Sequence, residues 1–176
     1  IIIKMKFPLK KYKNINNFAL DYFTEINNCS KNINFQNLKK ASDTLLKCYS
    51  NNRSVFVCGN GGSASITNHL VQDHLKTIQT NTSLLPKVFS LSNNLELITA
   101  ISNDINYHQV FNHQLENYSE SGDVLVIISC SGNSKNIINA VKYAIKNKLN
   151  IISFIGFGSN KFIKSSSKHY INLKTK

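Results

Sequence analysis

Two loops rich in small polar residues carry the side chains that could do chemistry in this 176-residue chain. Residues 129–134 read SCSGNS and stand between an apolar segment and an amphipathic one. Three hydroxyls and several backbone N–H groups would meet there at the start of a helix, an arrangement that binds a phosphate monoester without arginine. The pattern therefore predicts a phosphate site. The competing interpretation is an ordinary Ser/Asn helix cap, for which a single serine would be enough.

The second loop, residues 59–65, reads GNGGSAS and also follows a short apolar segment. It fits the G-x-G-x-x-A form of a dinucleotide-binding loop, but that motif needs an acidic residue about 20 positions on to hold a ribose. Residues 90–94 read SLSNN and supply no acid. The chain also lacks G-x-x-x-x-G-K-[ST], so a P-loop is excluded and dinucleotide binding is disfavoured.

Two polar pairs outside these loops are further candidates. His69 and Asp73 lie four residues apart in the segment after the glycine-rich loop, so they share one face of a helix. An imidazole and a carboxylate on one face could bind a metal or transfer protons, although a surface ion pair has the same spacing. Asn103 and Asp104 form the second pair, for which the alternatives are an Asx turn in a loop between two helices and contacts to sugar hydroxyls.

The elements that must position these residues show two periodicities. Apolar residues at helical spacing predict helices at about 13–29 and 35–50, the second capped by Asn34. Short apolar segments then alternate with helices, which predicts a parallel sheet covered on both faces. Strands are predicted at 55–58, 87–91, 123–128, 150–155 and 169–173. Helices are predicted from the glycine-rich loop to about 76, at 94–101, at 107–118, from near 133 to 146, and at 161–166. Ligands of such open sheets lie outside the carboxyl ends of the strands, where both polar loops fall.

Composition limits the classes of function. The net charge of +12 comes nearly all from lysine, since Arg53 is the only arginine. Genomic base bias, or a field that attracts anionic substrates, accounts for such a charge. The lysines are scattered and no basic block is interleaved with aromatic residues, so we expect no nucleic-acid partner. No apolar run approaches the ~20 residues that cross a bilayer, and the four cysteines without CxxC spacing fit free thiols in a reducing cytoplasm.

Together, these motifs resemble the SIS (sugar isomerase) domain family, and within it the phosphoheptose isomerases. The resemblance runs from the first helix to Lys176. It rests on residues 59–63, 69 with 73, 101–104, 122–125 and 129–134. It implies an α/β fold, a three-layer αβα sandwich of flavodoxin type with a five-stranded parallel sheet, preceded by N-terminal helices. The expected division is into packing or oligomerisation helices at 1–52 and a sugar-phosphate-binding SIS domain at 53–176.

The resemblance also implies roles for particular residues. Those that would contact the substrate are Asn60, Gly61, Gly62, Ser63, Asn103 and Asp104, and those that would hold its phosphate are Ser129, Cys130, Ser131 and Ser134. His69 and Asp73 match two helix positions that bind zinc, and Asp73 also matches the acid/base, where the family usually has glutamate. The family's remaining zinc ligands and a second acid/base histidine come from a helix after the last strand. The sequence stops before such a helix, so we expect that helix to be missing and the zinc site in this chain to be partial.

The function implied is that of a cytoplasmic homotetramer that converts sedoheptulose 7-phosphate to D-glycero-D-manno-heptose 7-phosphate through an enediol, supplying heptose to lipopolysaccharide, capsule or other surface glycans. One alternative is a non-catalytic SIS protein that senses a sugar phosphate or binds another protein, such as a replication initiator. The aspartate at position 73 and the missing helix favour it. Another is an isomerase of a different sugar, such as arabinose 5-phosphate, but the chain has no room for the regulatory domains typical of those enzymes.

Overall fold

The structure is a computed structural model that describes residues 7–8, 10–158 and 160–175. Within those residues five parallel strands form one sheet in the order β2-β1-β3-β4-β5. The strands are β1 (Ser54–Cys58), β2 (Lys87–Ser90), β3 (Val124–Ser129), β4 (Asn150–Ile155) and β5 (His169–Asn172). Each lies within one residue of its predicted bounds, which confirms the predicted α/β class and parallel sheet.

The central strands β1 and β3 are apolar on both faces because the core lies on both sides of the sheet. Successive residues alternate between two buried clusters, as the two-residue period of a strand requires. Phe56 and Leu125 belong to one cluster, whereas Val57 and Val126 belong to the other. Each cluster is closed by helices, so the strands need no polar face.

The helices follow the predicted order. They are α1 (Ile15–Ser30), α2 (Phe35–Ser50), α3 (Gly62–Gln72), α4 (Gln79–Asn81), α5 (Leu95–Asp104), α6 (Asn112–Tyr118), α7 (Lys135–Lys146) and α8 (Lys161–Ser166). A π-helical segment, Asp73–Ile78, joins α3 to α4. The Asn34 side chain accepts a hydrogen bond from the Asn37 N–H at 2.9 Å, so the predicted cap of α2 is confirmed. Among the described residues, no helix is long and apolar enough to cross a membrane.

Four predicted helix boundaries were wrong. The helix predicted at 107–118 begins only at Asn112, after a separate 3-10 turn at Tyr107–Gln109. The helix after the glycine-rich loop begins at Gly62, inside the loop, and continues past residue 76 because the π-helical turn carries it to Asn81. The prediction of a loop at 103–104 was also wrong, since both residues belong to the last turn of α5. Helix α7 begins at Lys135 rather than near 133, because Ser134 has an extended backbone with ψ 131° and is the N-cap residue.

The boundary predicted between residues 52 and 53 is not marked by a change in packing. Ala41, Cys48 and Tyr49 of α2 are buried in the same cluster as strand residues of β1 and β3. Helix α1, in contrast, keeps large apolar side chains exposed, among them Phe23 at 67%. The division into a helical segment and a SIS domain therefore stays a prediction.

Candidate functional site

Parallel neighbouring strands bring the two polar loops together. Cys58 of β1 pairs with Ile127 of β3, so the loops after these strands leave the same edge of the sheet. The glycine-rich loop packs closely against the end of β3, because a Cβ added to Gly59 would lie 2.9 Å from both the Ile128 carbonyl oxygen and the Ser63 Cβ. Glycine is therefore required at position 59 for this close approach.

Two serines of the loop at 129–134 hold its backbone. The Ser129 hydroxyl accepts a hydrogen bond from the Gly132 N–H at 3.0 Å, and the Ser131 hydroxyl accepts one from the Asn133 N–H at 3.2 Å. Each hydroxyl thus uses its oxygen to shape the loop and keeps its hydrogen as a donor. This arrangement combines a turn-forming role with the capacity to bind an anion.

Ser134 and Cys130 contribute differently to this loop. Ser134 is the N-cap residue of α7, with φ −65° and ψ 131°, yet its side chain makes no cap hydrogen bond. Its hydroxyl lies at a helix N-terminus, where an anion is favoured. The Cys130 thiol is exposed, while its carbonyl oxygen accepts hydrogen bonds from the N–H groups of Phe157 at 2.9 Å and Gly158 at 3.1 Å.

The turn after β4 packs against the loop at 129–134. A Cβ on Gly158 would overlap the Ser131 carbonyl oxygen, so the two backbones are in van der Waals contact. The Asn172 side-chain amide donates to the Gly158 carbonyl at 2.6 Å and anchors the turn to β5. The Asn160 amide donates to the Asn133 Oδ1 at 2.8 Å. The conformation of the loop therefore depends on a neighbouring segment as well as on its own serines.

The glycine-rich loop is open at its tip and closed at its base. Gly61 has a φ of +57° and caps α3, and no atom lies within 4 Å of the Cβ position of either Gly61 or Gly62. A ligand could approach both residues closely. Ser63, which we predicted to line the substrate, is only 9% exposed and is buried against Gly59, so its contact with substrate stays a prediction.

Asn60 is held by side chains that the sequence analysis did not identify. Its amide exchanges two hydrogen bonds with the Asn136 amide, at 3.0 and 2.9 Å, and its Oδ1 also accepts from the Tyr107 hydroxyl at 2.8 Å. Asn60 and Tyr107 line a cavity of about 80 Å³ at the mouth of the glycine-rich loop. One indication of this role was present in the sequence. Asn136 is a polar residue next to the apolar Ile137, at a position of the predicted helix that faces the core and would ordinarily carry an apolar side chain.

His69 of α3 and Asp73, the first residue of the π-helical segment that follows, lie on one face as predicted, and both are exposed. The His69 Nε2 is 3.5 Å from the Asp73 Oδ2, with exposed side-chain fractions of 73% and 51%. The π-helical segment begins at Asp73, and such segments occur frequently at functional sites. Among the described residues, no group of three or more His, Cys, Asp or Glu side chains could hold a metal. The pair alone supplies fewer than the three protein ligands of a catalytic zinc site.

Asn103 and Asp104 are exposed on the last turn of α5. The Asn103 amide donates to the Asp104 Oδ1 at 2.8 Å. Tyr107, three residues after Asp104, reaches Asn60, so this segment is tied to the glycine-rich loop. Direct contacts of Asn103 and Asp104 with a sugar stay a prediction.

Other polar and thiol groups have structural roles. Asp123 is 2% exposed and accepts hydrogen bonds from the N–H groups of Ser54 at 3.0 Å and Glu120 at 2.8 Å, at the sheet edge opposite the polar loops. Burial raises the pKa of Cys58 to about 12 and that of Cys48 to about 11. These two cysteines are therefore uncharged thiols in the core.

Comparison with known proteins identifies the class. The sequence profile of the SIS domain family matches residues 21–156, and the chain belongs to this family. The phosphoheptose isomerase of Colwellia psychrerythraea is 33% identical over 142 residues, which is 81% of this chain and 71% of that protein. The phosphoheptose isomerase of Shewanella denitrificans is 34% identical over 121 residues, 69% of this chain and 61% of the relative. The chain thus spans less than two thirds of the second relative.

A solved structure supports the same grouping. The phosphoheptose isomerase of Neisseria gonorrhoeae matches with a TM-score of 0.77 and 27% identity, covering 91% of this chain and 86% of that one. Within the SIS family, the chain groups with the phosphoheptose isomerases, a family of enzymes. The resemblance inferred from the sequence motifs is confirmed.

Proposed function

We propose that this protein is a sugar-phosphate isomerase that converts sedoheptulose 7-phosphate to D-glycero-D-manno-heptose 7-phosphate. The observation that carries the proposal is the loop at 129–134. The Ser129 and Ser131 hydroxyls accept hydrogen bonds from backbone N–H groups of this loop and keep their hydrogens as donors, and Ser134 begins α7 without a side-chain cap bond. A phosphate monoester fits there because a helix N-terminus and hydroxyl donors both favour an anion. As a cytoplasmic enzyme, it would supply heptose to surface glycans such as lipopolysaccharide or capsule.

The chemistry requires a proton to move between C1 and C2 of the sugar through an enediol. A carboxylate held near these carbons takes the proton, and hydrogen-bond donors stabilise the developing oxyanion. Asp73 is our candidate for the carboxylate. The phosphate loop holds the far end of the substrate, so that phosphate binding energy orients the reacting carbons.

Distance supports an assembly in which two copies of the chain share one site. Asp73 follows the 11 residues of α3, so it lies about 16 Å along the helix from Gly62. An extended seven-carbon sugar with a terminal phosphate spans about 10 Å at ordinary bond lengths. A substrate that begins at the glycine-rich loop of the same chain is therefore too short to reach Asp73 along α3. A site shared between copies, as in the homotetramer that the family resemblance implies, would supply Asp73 from another copy.

Zinc binding is a separate proposal. The imidazole of His69 and the carboxylate of Asp73 are donor types that bind zinc, but two donors do not complete a catalytic site. The proton transfer is therefore assigned to Asp73 alone. Elemental analysis of the purified protein, compared with His69→Gln, tests this proposal, and equal zinc content in both would remove His69 as a ligand.

The proposed activity is tested with purified protein and sedoheptulose 7-phosphate. We expect turnover by the wild type and its loss in Asp73→Asn, which keeps the shape of the side chain but removes the base. A mixture of Asp73→Asn with Ser134→Ala, unfolded and refolded together, should regain activity if the two residues serve one site from different copies. Unchanged turnover by Asp73→Asn would remove this residue from the mechanism.

A non-catalytic SIS protein is the alternative, and the high exposure of His69 and Asp73 favours it. Such a protein would bind sedoheptulose 7-phosphate at the serine loop without converting it. Calorimetric binding together with absent turnover, with zinc supplied, would support this alternative over the enzyme.

A further inference from the structure

We propose that Asn136 is a positioning residue that fixes the side-chain amide of Asn60, so that Asn60 offers an N–H donor to the sugar portion of the substrate. The inference extends the function proposed above and rests on it for the identity of the substrate. Neither the sequence motifs nor the family resemblance gave Asn136 a role.

The side-chain amide of Asn136 is buried and therefore needs hydrogen-bond partners. It is 1% exposed, in the first turn of α7 beside the fully buried Ile137. A buried amide without partners is costly. Its Oδ1 accepts from the Ile137 N–H at 2.9 Å. Because a backbone N–H only donates, this bond fixes which atom of the Asn136 amide is the oxygen.

The orientation of Asn136 then determines that of Asn60. With its oxygen fixed, Asn136 turns its Nδ2 towards the Asn60 Oδ1 at 2.9 Å and accepts from the Asn60 Nδ2 at 3.0 Å. The Tyr107 hydroxyl adds a second donor to the Asn60 Oδ1 at 2.8 Å. Two donors on one oxygen would both be lost if the Asn60 amide turned over.

This arrangement leaves Asn60 with one unused donor. An amide nitrogen carries two hydrogens, and among the described residues only one of those on Asn60 makes a hydrogen bond, to Asn136. Asn60 is half-buried and borders the cavity beside Gly61. A reversed amide would present its oxygen to a substrate oxygen that gains negative charge, so the orientation affects turnover.

Phosphate binding and the orientation of the Asn60 amide can be measured separately, because they depend on different hydrogen bonds. The hydroxyls of Ser129 and Ser131 bond to the backbone of their own loop, whereas Asn136 bonds to Asn60 and Ile137. A change at Asn136 should therefore affect catalysis of the sugar rearrangement more than the affinity for inorganic phosphate.

The test is Asn136→Asp, which keeps the side-chain shape and, when ionised, cannot donate to Asn60. We expect kcat/KM for sedoheptulose 7-phosphate to fall by up to about 100-fold near neutral and alkaline pH, the effect of losing one oriented donor. The loss should shrink at acidic pH, where the protonated carboxyl donates again. The affinity for inorganic phosphate should fall much less, by under the tenfold that corresponds to one good hydrogen bond, because the new carboxylate near the start of α7 opposes anion binding only through its charge. Asn147→Asp, at the other end of α7, is the matched control.

A double-mutant cycle with Asn60→Ala decides whether Asn136 acts through Asn60. Adding Asn136→Asp to Asn60→Ala should cost little further activity, since residues in one network are not additive. Additive losses, or a parallel loss of phosphate affinity, would overturn the inference. If Asn136→Asp does not fold, Tyr107→Phe enters the same cycle, because it removes only the outer bond to Asn60.

The inference remains testable if the wild type does not turn over sedoheptulose 7-phosphate, a result that would count against the proposed function alone. Hydrogen exchange of the Asn60 side-chain amide, followed by NMR, should then be slow in the wild type and fast in Asn136→Leu, which removes the oxygen that accepts the Asn60 Nδ2–H. Equal exchange in the two proteins would overturn the positioning role irrespective of any activity.

Discussion

At the scale of single residues, Ser134 differs from the asparagine residues that cap other α-helices of the described chain. Asn34 caps α2 through its Oδ1 and the Asn37 N–H, whereas Ser134 occupies the equivalent position on α7 without such a bond. Its hydroxyl is therefore available for a ligand. The two residues occupy the same position at a helix N-terminus, but Asn34 is a structural cap, whereas Ser134 is a candidate anion-binding group.

We expect Ser134→Ala to weaken phosphate binding without lowering stability. A hydrogen bond to a charged group contributes about 1.5–3 kcal/mol, so the Kd for inorganic phosphate should rise about tenfold or more. Asn34→Ala is the control, because loss of a working cap costs about 1 kcal/mol of stability and should leave the Kd unchanged. Calorimetry and urea unfolding measure the two quantities. A loss of stability in Ser134→Ala with phosphate affinity retained would assign Ser134 to helix capping.

His169 makes the stability of the fold depend on pH. It is 8% exposed, and its Nε2 is 2.8 Å from the Thr44 hydroxyl. Burial lowers the pKa of His169, with Lys168 and Lys40 adding to the effect. The unfolded chain therefore binds a proton at this residue before the folded one does, and stability is lost as the pH falls below the ordinary histidine pKa of about 6.5.

His169→Gln should reduce this loss, since glutamine keeps a polar group at the site and does not titrate. One proton corresponds to at most about 1.4 kcal/mol per pH unit. Urea unfolding between about pH 7.5 and pH 5 should show a steeper decline for the wild type than for His169→Gln. The other four histidines are common to both proteins, so parallel declines would mean that His169 is not the group responsible.

At the scale of elements, the sequence predicted the strands more accurately than the segments between them. A continuous apolar run such as that of β3 is buried only in a parallel sheet covered on both faces. The run itself therefore shows where the strand lies. The π-helical turn at Asp73 and the contact of Gly158 with Ser131 depend on packing between distant segments. For the same reason the Asn60–Asn136 pair, 76 residues apart, left almost no trace in the sequence.

Gly158→Ala tests whether the turn after β4 shapes the phosphate loop. The new Cβ would overlap the Ser131 carbonyl oxygen, so one backbone must move, at a cost of about 1–3 kcal/mol. We expect lower stability together with at least a tenfold loss of phosphate affinity, because the displaced Ser131 no longer supports its loop. Gly62→Ala serves as the stability control, since its Cβ position is open and alanine gains up to about 1 kcal/mol in a helix. Normal phosphate affinity in Gly158→Ala would show that the loop forms independently.

At the scale of the whole molecule, α1 exposes large apolar side chains that nothing in the described part of one chain covers. Ile15, Leu20 and Phe23 are 73%, 67% and 67% exposed, although burial of such side chains is worth about 1.5–3 kcal/mol each. Helix α1 belongs to the segment expected to serve packing or oligomerisation, and that role stays a prediction. The spacing of its apolar residues could not indicate which surface covers it, because one amphipathic pattern serves a core and an interface equally.

We expect Phe23→Glu to lower the oligomeric state. If α1 packs against another copy, a carboxylate placed in that apolar contact would be buried without a partner, which is strongly unfavourable. Light scattering should then report a smaller mass than for the wild type. Asn28→Glu is the control, because it makes the same charge change at an exposed polar position of the same helix. If Asp73 serves the phosphate loop of another copy, Phe23→Glu should also lose turnover of sedoheptulose 7-phosphate while it still binds inorganic phosphate. A dissociated Phe23→Glu with full turnover would show that each chain holds a complete site, and would contradict the shared arrangement.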